Sequence, residues 1–231
     1  MKPILKLFAI CVLVAVAAQS QAATQISNLM EPWTGGGIGD IHAVTPNQKF
    51  GFSFTTGAGA YRLDSVVLEH FAYAGSLQSF GVELYRVDGF GPFGTVQVSF
   101  LGALANSFID SRPTQWPGST TFVGYSSATP LTLDPSSTYL VAAIEPANGL
   151  NETGLLFAAP GNYTISGDWT TPPPDQFFSD SSGLWFAGPM PGLGGKLKME
   201  INATPVVVPE PAVSTLLFGL LCLFRLRSQR Y

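Results

Sequence analysis

The amino-acid sequence predicts an all-β protein, an antiparallel β-sandwich or jelly roll set between two apolar end segments. Three observations carry that expectation. Between Thr24 and Val208 apolar residues recur at period two, as in Phe50, Phe52 and Phe54, which puts them on one face of a strand. Nothing in that span repeats apolar residues at helical spacing. Glycine and proline, 25 and 18 of 231 residues, interrupt the chain often enough to supply turns between short strands.

The phenylalanine stripe defines a strand that ends at Thr55-Thr56-Gly57, and a second strand spans Tyr61 to His70. Phe80, Val82 and Leu84 alternate with Gly81, Glu83 and Tyr85 in the next one. Asp88-Gly89 then supplies turn chemistry, with a glycine that accepts positive φ. Val96, Val98 and Phe100 form the return strand; Thr120 to Tyr125 and Leu155 to Ala158 are shorter candidates. Leu131-Thr132-Leu133 runs into Asp134-Pro135, and a buried strand leaves the turn at Thr138. Tyr139 is placed to return its hydroxyl to the turn backbone, as a tyrosine corner does. Leu197, Met199 and Ile201 close the domain, with Lys196, Lys198 and Glu200 expected toward solvent. Thr170 to Asp175, with Pro172, Pro173 and Pro174, and Gly188 to Gly195 read as irregular loops.

The two ends follow different rules. Lys2 and Lys6 precede the apolar run Leu7 to Ala18 and then Ser20-Gln21-Ala22, whose small residues suit a signal peptidase. Residues 1–23 are therefore expected to be a signal peptide, cleaved after Ala22 or Ala23. At the other end Pro209-Glu210-Pro211 precedes an uncharged run from Ala212 to Phe224, followed by Arg225, Arg227 and Arg230. As a helix this run would cover about 20 Å at ~1.5 Å per residue, short of a ~30 Å hydrocarbon core. It is marginal as a permanent span, and its basic end belongs on the cytoplasmic side. The expected organisation is a signal peptide (1–23), a β-domain (24–202), a linker (203–208) and a tail (209–231).

Val208-Pro209-Glu210-Pro211, the hydrophobic helix and the arginine cluster together resemble the PEP-CTERM sorting signal of Gram-negative bacteria. The resemblance implies an exosortase substrate, held transiently in the inner membrane through the tail. Processing would deliver it to the cell envelope or an extracellular polysaccharide matrix. The body is similar to the choice-of-anchor R family. The likeness rests on Asn28-Leu29, on Ser53-Phe54-Thr55-Thr56-Gly57, on Tyr61, Leu63, Ser65 and Val66, and on Leu131, Leu133, Pro135, Thr138, Tyr139 and Leu140. It covers roughly residues 27–156 and implies a β-sandwich at the cell surface with no established catalytic activity.

Composition narrows the chemistry. Cys11 and Cys222 both lie in the end segments, so the body depends on core packing rather than a disulfide. Between Thr24 and Val208 six basic residues face fourteen acidic ones, a net charge of about −8, which disfavours nucleic acid as a partner. Asp40-Ile41-His42 offers two ligand types two residues apart, but no second cluster completes a metal site. No nucleophile-elbow pattern nominates a catalytic serine, and no cofactor is expected. Glu69 and Glu83 fall on neighbouring strands in this reading, with solvent-facing carboxylates as the expectation.

A non-enzymatic structural or adhesive surface protein is the function expected, with exosortase and the export machinery as partners. The alternative is a carbohydrate-binding module for exopolysaccharide, using Trp33, Trp116, Trp169 or Trp185. Aromatic rings at such positions either stack on sugars or plug the end of a sandwich. A secreted glycan hydrolase is less favoured; it needs two carboxylates ~5–10 Å apart.

Overall fold

The computed structural model describes residues 22–31, 49–72, 81–114, 120–144, 153–155, 157–158, 163–180, 182–188 and 196–206. Among them there is no α-helix, only one 3-10 turn at Pro92–Gly94, and every strand pair is antiparallel. The all-β expectation therefore holds for this part of the chain. The tail residues Pro209, Glu210, Pro211, Arg225, Arg227 and Arg230, and the apolar run of the expected signal peptide, lie outside the described residues. Among the described residues no helix is long and apolar enough to cross a membrane.

Two layers share one core. The first is built on the twelve-residue strand β3 (Tyr61–Ala72). One side of β3 pairs with β15 (Met199–Pro205) and, past it, with β9 (Thr153–Leu155). β15 in turn pairs with β1 (Ala23–Ser27) and through it β11 (Thr164–Ile165), while β10 (Phe157–Ala158) and β14 (Lys196–Leu197) form a separate pair. The other side of β3 takes β7 (Leu131–Leu133) and β6 (Thr120–Ser126). The second layer contains β2 (Lys49–Thr55), β4 (Gly81–Phe90), β8 (Thr138–Ile144), β12 (Gln176–Ser179) and β13 (Trp185–Ala187). A single strand, β5 (Thr95–Asp110), belongs to both. Its residues 96–104 pair with β4 and its residues 105–110 with β6.

The phenylalanine stripe behaves as period two requires. Phe50, Phe52 and Phe54 point between the layers and meet Leu63, Val66, Leu68, Met199 and Ile201 from the other side, all buried. Complete burial of one such aromatic contributes ~1.5–3 kcal/mol. Tyr139 forms the expected corner: its hydroxyl accepts the backbone N–H of Asp134 at 2.6 Å. The intervening Ser136 takes positive φ.

The second layer does more than cover the first. β5 pairs with β13 at Thr95 and Val96, and the order β5-β13-β12-β2-β8-β4 returns to β5, closing a ring of six strands. Its interior is a second small core of Tyr85, Val96, Leu140, Ala142, Phe177 and Trp185. Gly51 is glycine because Leu140 fills the space beside it. A Cβ there would stand 2.5 Å from Leu140 Cδ1 and 2.9 Å from the Val141 carbonyl oxygen.

Several local expectations change. β4 continues through Asp88-Gly89, where the register shifts in a bulge, because Asp88 is held within the sheet by Arg86 and Ser99. The reversal falls at Gly91–Gly94 instead, with positive φ at Phe93 and Gly94. β15 runs through Pro205, into the stretch expected as linker, and Val206 still donates its N–H to Ala60. Lys198 and Glu200 do not face solvent. They are 1% and 5% exposed, because each has a partner on the outer side of the first layer. Lys196 is half-buried and pairs with Asp175.

Candidate functional site

Of the four candidate tryptophans, the described residues include two. Trp169 is 2% exposed. It stacks on Phe54 at 5.4 Å with the rings nearly parallel and takes the edge of Tyr61 at 4.9 Å. It is part of the main core and offers no face to a ligand. Trp33 and Trp116 lie outside the described residues, as do Asp40, Ile41 and His42. Trp185 is different. It is 6% exposed, fills the ring from β13, and its edge borders an open groove of about 360 Å³.

That groove lies at one mouth of the ring. β5 supplies Val96, Val98 and Phe100 as one wall, and Tyr85, Lys49 and Trp185 come from three other strands. The loop of the β12–β13 hairpin closes the far side. Asp180 holds this loop: its carboxylate accepts the N–H groups of Ser182 and Leu184, both at 2.9 Å, and Gly183 takes φ +85°. Those bonds, that to the Ser182 hydroxyl first, hold the Asp180 carboxyl below its ordinary range. Leu184, 55% exposed, forms the rim.

A polar triangle sits beside the aromatic wall. Lys49 Nζ donates to Glu83 Oε2 and to the Tyr85 hydroxyl, each at 2.6 Å, and the Tyr85 hydroxyl donates to Glu83. Burial first, then the hydrogen bond and charge of Glu83, push the Tyr85 phenol above its usual range, so it remains a donor. Period two explains the grouping. Glu83 pairs with Ala142 and Tyr85 with Leu140, so both point into the ring, as Lys49 does two residues before Gly51. Phe100 meets the edge of Tyr85 at 5.5 Å yet stays 57% exposed.

The carboxylates weighed for hydrolysis are separated. Glu69 is on β3 of the first layer and Glu83 on β4 of the second, not on neighbouring strands. Neither faces open solvent: Glu69 is 1% exposed against Lys198 Nζ at 2.7 Å, and Glu83 is held by Lys49. A further charged cluster occupies the outer side of the first layer. Arg112 grips Glu200 with two bonds of 2.7 and 2.9 Å and also binds Asp110 at 2.7 Å. Its guanidinium lies 5.7 Å from the Phe122 ring centre. Among the described residues no group of three or more His, Cys, Asp or Glu is placed to hold a metal ion.

Sequence patterns reached the groove only through Trp185, because they ranked tryptophans and did not single out Lys49, Tyr85 or Phe100 as site residues. The available signal was the Gln176-Phe-Phe-Ser run, then Asp180 and Gly183, then Trp185-Phe-Ala, which is a hairpin pattern. No family model matches this chain, and no curated protein is similar to it.

Proposed function

We propose that this protein is an exported, non-enzymatic β-sandwich, structural or adhesive in role, trimmed at both ends and delivered to the cell envelope or extracellular matrix. Signal peptidase would cut after Ala22 or Ala23. An exosortase would act at Pro209-Glu210-Pro211, with the helix and the arginines Arg225, Arg227 and Arg230 holding the precursor in the inner membrane until then. The observation that supports this best is where the strands lie. β1 begins at Ala23, β15 ends at Pro205, and Ala23 pairs directly with Ala203. Cleavage after Ala22 leaves β1 whole, and removal of the tail from Pro209 onward takes no residue from β15. The start of β1 and the end of β15 also lie side by side, at one end of the same strand pair. For Glu69 and Glu83, the carboxylates weighed for hydrolysis, placement in different layers, each against its own lysine, supports the non-enzymatic reading.

Mass spectrometry of the protein recovered from the envelope and medium tests this. An N-terminus at Ala23 or Thr24 and loss of the segment through Tyr231 are expected. An intact C-terminus on the delivered protein would overturn the sorting reading. Replacing Pro209, Glu210 and Pro211 with alanine should leave an unprocessed, membrane-retained precursor.

A further inference from the structure

We propose that the groove at the ring mouth binds a short stretch of a neutral hexose polysaccharide. Phe100 would act as the stacking platform, with Lys49 and Tyr85, both held by Glu83, bonding the sugar hydroxyls. A pyranose ring presents C–H groups on its faces and hydroxyls around its rim, so it needs an apolar flat surface beside mixed donors and acceptors. The groove provides both within one pocket. Phe100 is 57% exposed although it lies in a strand, and its contact with the Tyr85 edge fixes the ring without covering it. Trp185 closes the floor and adds a second aromatic surface at its edge. Holding these rings by packing lowers the ordering cost of binding.

The triangle selects for charge. Lys49 and Glu83 neutralise each other at 2.6 Å, so neither a uronate nor a cationic sugar finds an uncompensated partner. A body of about −8 net charge also repels anionic chains. The ammonium group has three donors, two of them used by Glu83 and Tyr85, and its side chain is 26% exposed toward the groove. Lys49 and Tyr85 line the groove with Glu83 behind them, so the third ammonium donor and the second lone pair of the Tyr85 hydroxyl suit two adjacent sugar hydroxyls, one accepting and one donating. The volume, about 360 Å³, is near the lower end of the ~300–1,000 Å³ range of ligand pockets. It therefore accommodates a short segment of a chain rather than a long one. This assignment is independent of tail processing, and the two fail separately.

The test uses the full chain in a zwitterionic detergent free of sugar headgroups, titrated with cellohexaose, laminarihexaose and a hexagalacturonate. Tryptophan fluorescence and saturation-transfer NMR report binding. The expected result is saturable binding of at least one neutral hexamer at millimolar or tighter concentration, accompanied by a fluorescence change that Trp185→Phe removes. Phe100→Ala should weaken it about tenfold, and Lys49→Met should weaken it as well. Phe93→Ala, at the exposed hairpin tip, should not. Far-UV circular dichroism confirms that each variant keeps its sheet. Absence of saturable binding to either neutral hexamer up to ~10 mM overturns the proposal, as does binding undiminished in Phe100→Ala or a preference for the hexagalacturonate.

Discussion

Among the described residues two lysine–glutamate pairs have almost the same contact distance, 2.7 Å for Lys198–Glu69 and 2.6 Å for Lys49–Glu83, in opposite surroundings. The first lies on the outer side of the β3–β15 layer with both side chains 1% exposed, and Glu69 Oε1 has no hydrogen-bond partner. The second lies at the mouth of the ring, 26% and 19% exposed, with the Tyr85 hydroxyl completing its bonding. The chemistry is identical, so the surroundings decide what each pair does. Where water is excluded, each charge depends on its partner. At the groove, water and a ligand can both substitute for one.

Removing one member should expose that difference most sharply at Lys198. Lys198→Met leaves Glu69 as an uncompensated buried carboxylate, with an expected loss of about 3–5 kcal/mol, read from urea unfolding. Replacing both residues with apolar ones, Glu69→Leu with Lys198→Met, should recover most of that loss. If the single change costs no more than removal of the groove lysine, the contrast between the two pairs is wrong.

Acid should act on the same layer through His70. His70 is on the core-facing side of β3, fully buried, with Nε2 2.9 Å from the Tyr125 hydroxyl, and burial pushes its pKa down to about 3. The unfolded chain, with a histidine pKa near 6.5, therefore takes up the proton first as pH falls. Stability from this group is intact above pH ~6.5 and declines by about 1.4 kcal/mol per pH unit until about pH 3. Unfolding measured at pH 7.5 and pH 5 should differ by about 2 kcal/mol from this source. In His70→Gln that component should vanish; a profile parallel to that of the unaltered protein would show that the acid sensitivity arises elsewhere.

Between these extremes lies the Tyr139 corner, buried in its ring yet bonded to a turn at the surface. Tyr139→Phe keeps the packing against Phe54 at 5.7 Å and leaves the Asp134 N–H without its acceptor. The expected cost is about 1 kcal/mol. An unchanged denaturation midpoint would mean that water replaces the hydroxyl at no cost.

What the sequence reveals about this fold follows how local each feature is. The stripe of Phe50, Phe52 and Phe54 and the corner at Tyr139 are visible because period two and a proline turn are short-range signals. Ring closure is not. It depends on Val96 meeting Trp185, residues almost ninety positions apart, and no periodicity encodes that encounter. The outward face of β15 shows the same limit. Alternation correctly separates Lys198 and Glu200 from Met199 and Ile201, but the inference that a charged face is a wet face fails once Glu69 and Arg112 are brought to it. The groove residues were hidden for a related reason. Lys49 looks like the polar start of an apolar strand until Glu83 and Tyr85 arrive from β4.

The smallest effect should come from the groove lysine. Lys49→Met removes a part-exposed ion pair, which contributes at most about 1 kcal/mol. It leaves the Lys49 backbone N–H still bonded to the Ser179 hydroxyl at 2.8 Å. The β2–β12 edge and the ring should therefore persist, with near-native urea unfolding. Glu83, freed of its ammonium, keeps the Tyr85 hydroxyl as donor and gains water. A stability loss as large as that of Lys198→Met would show that the ring mouth is closed to water and that the two pairs are structurally equivalent.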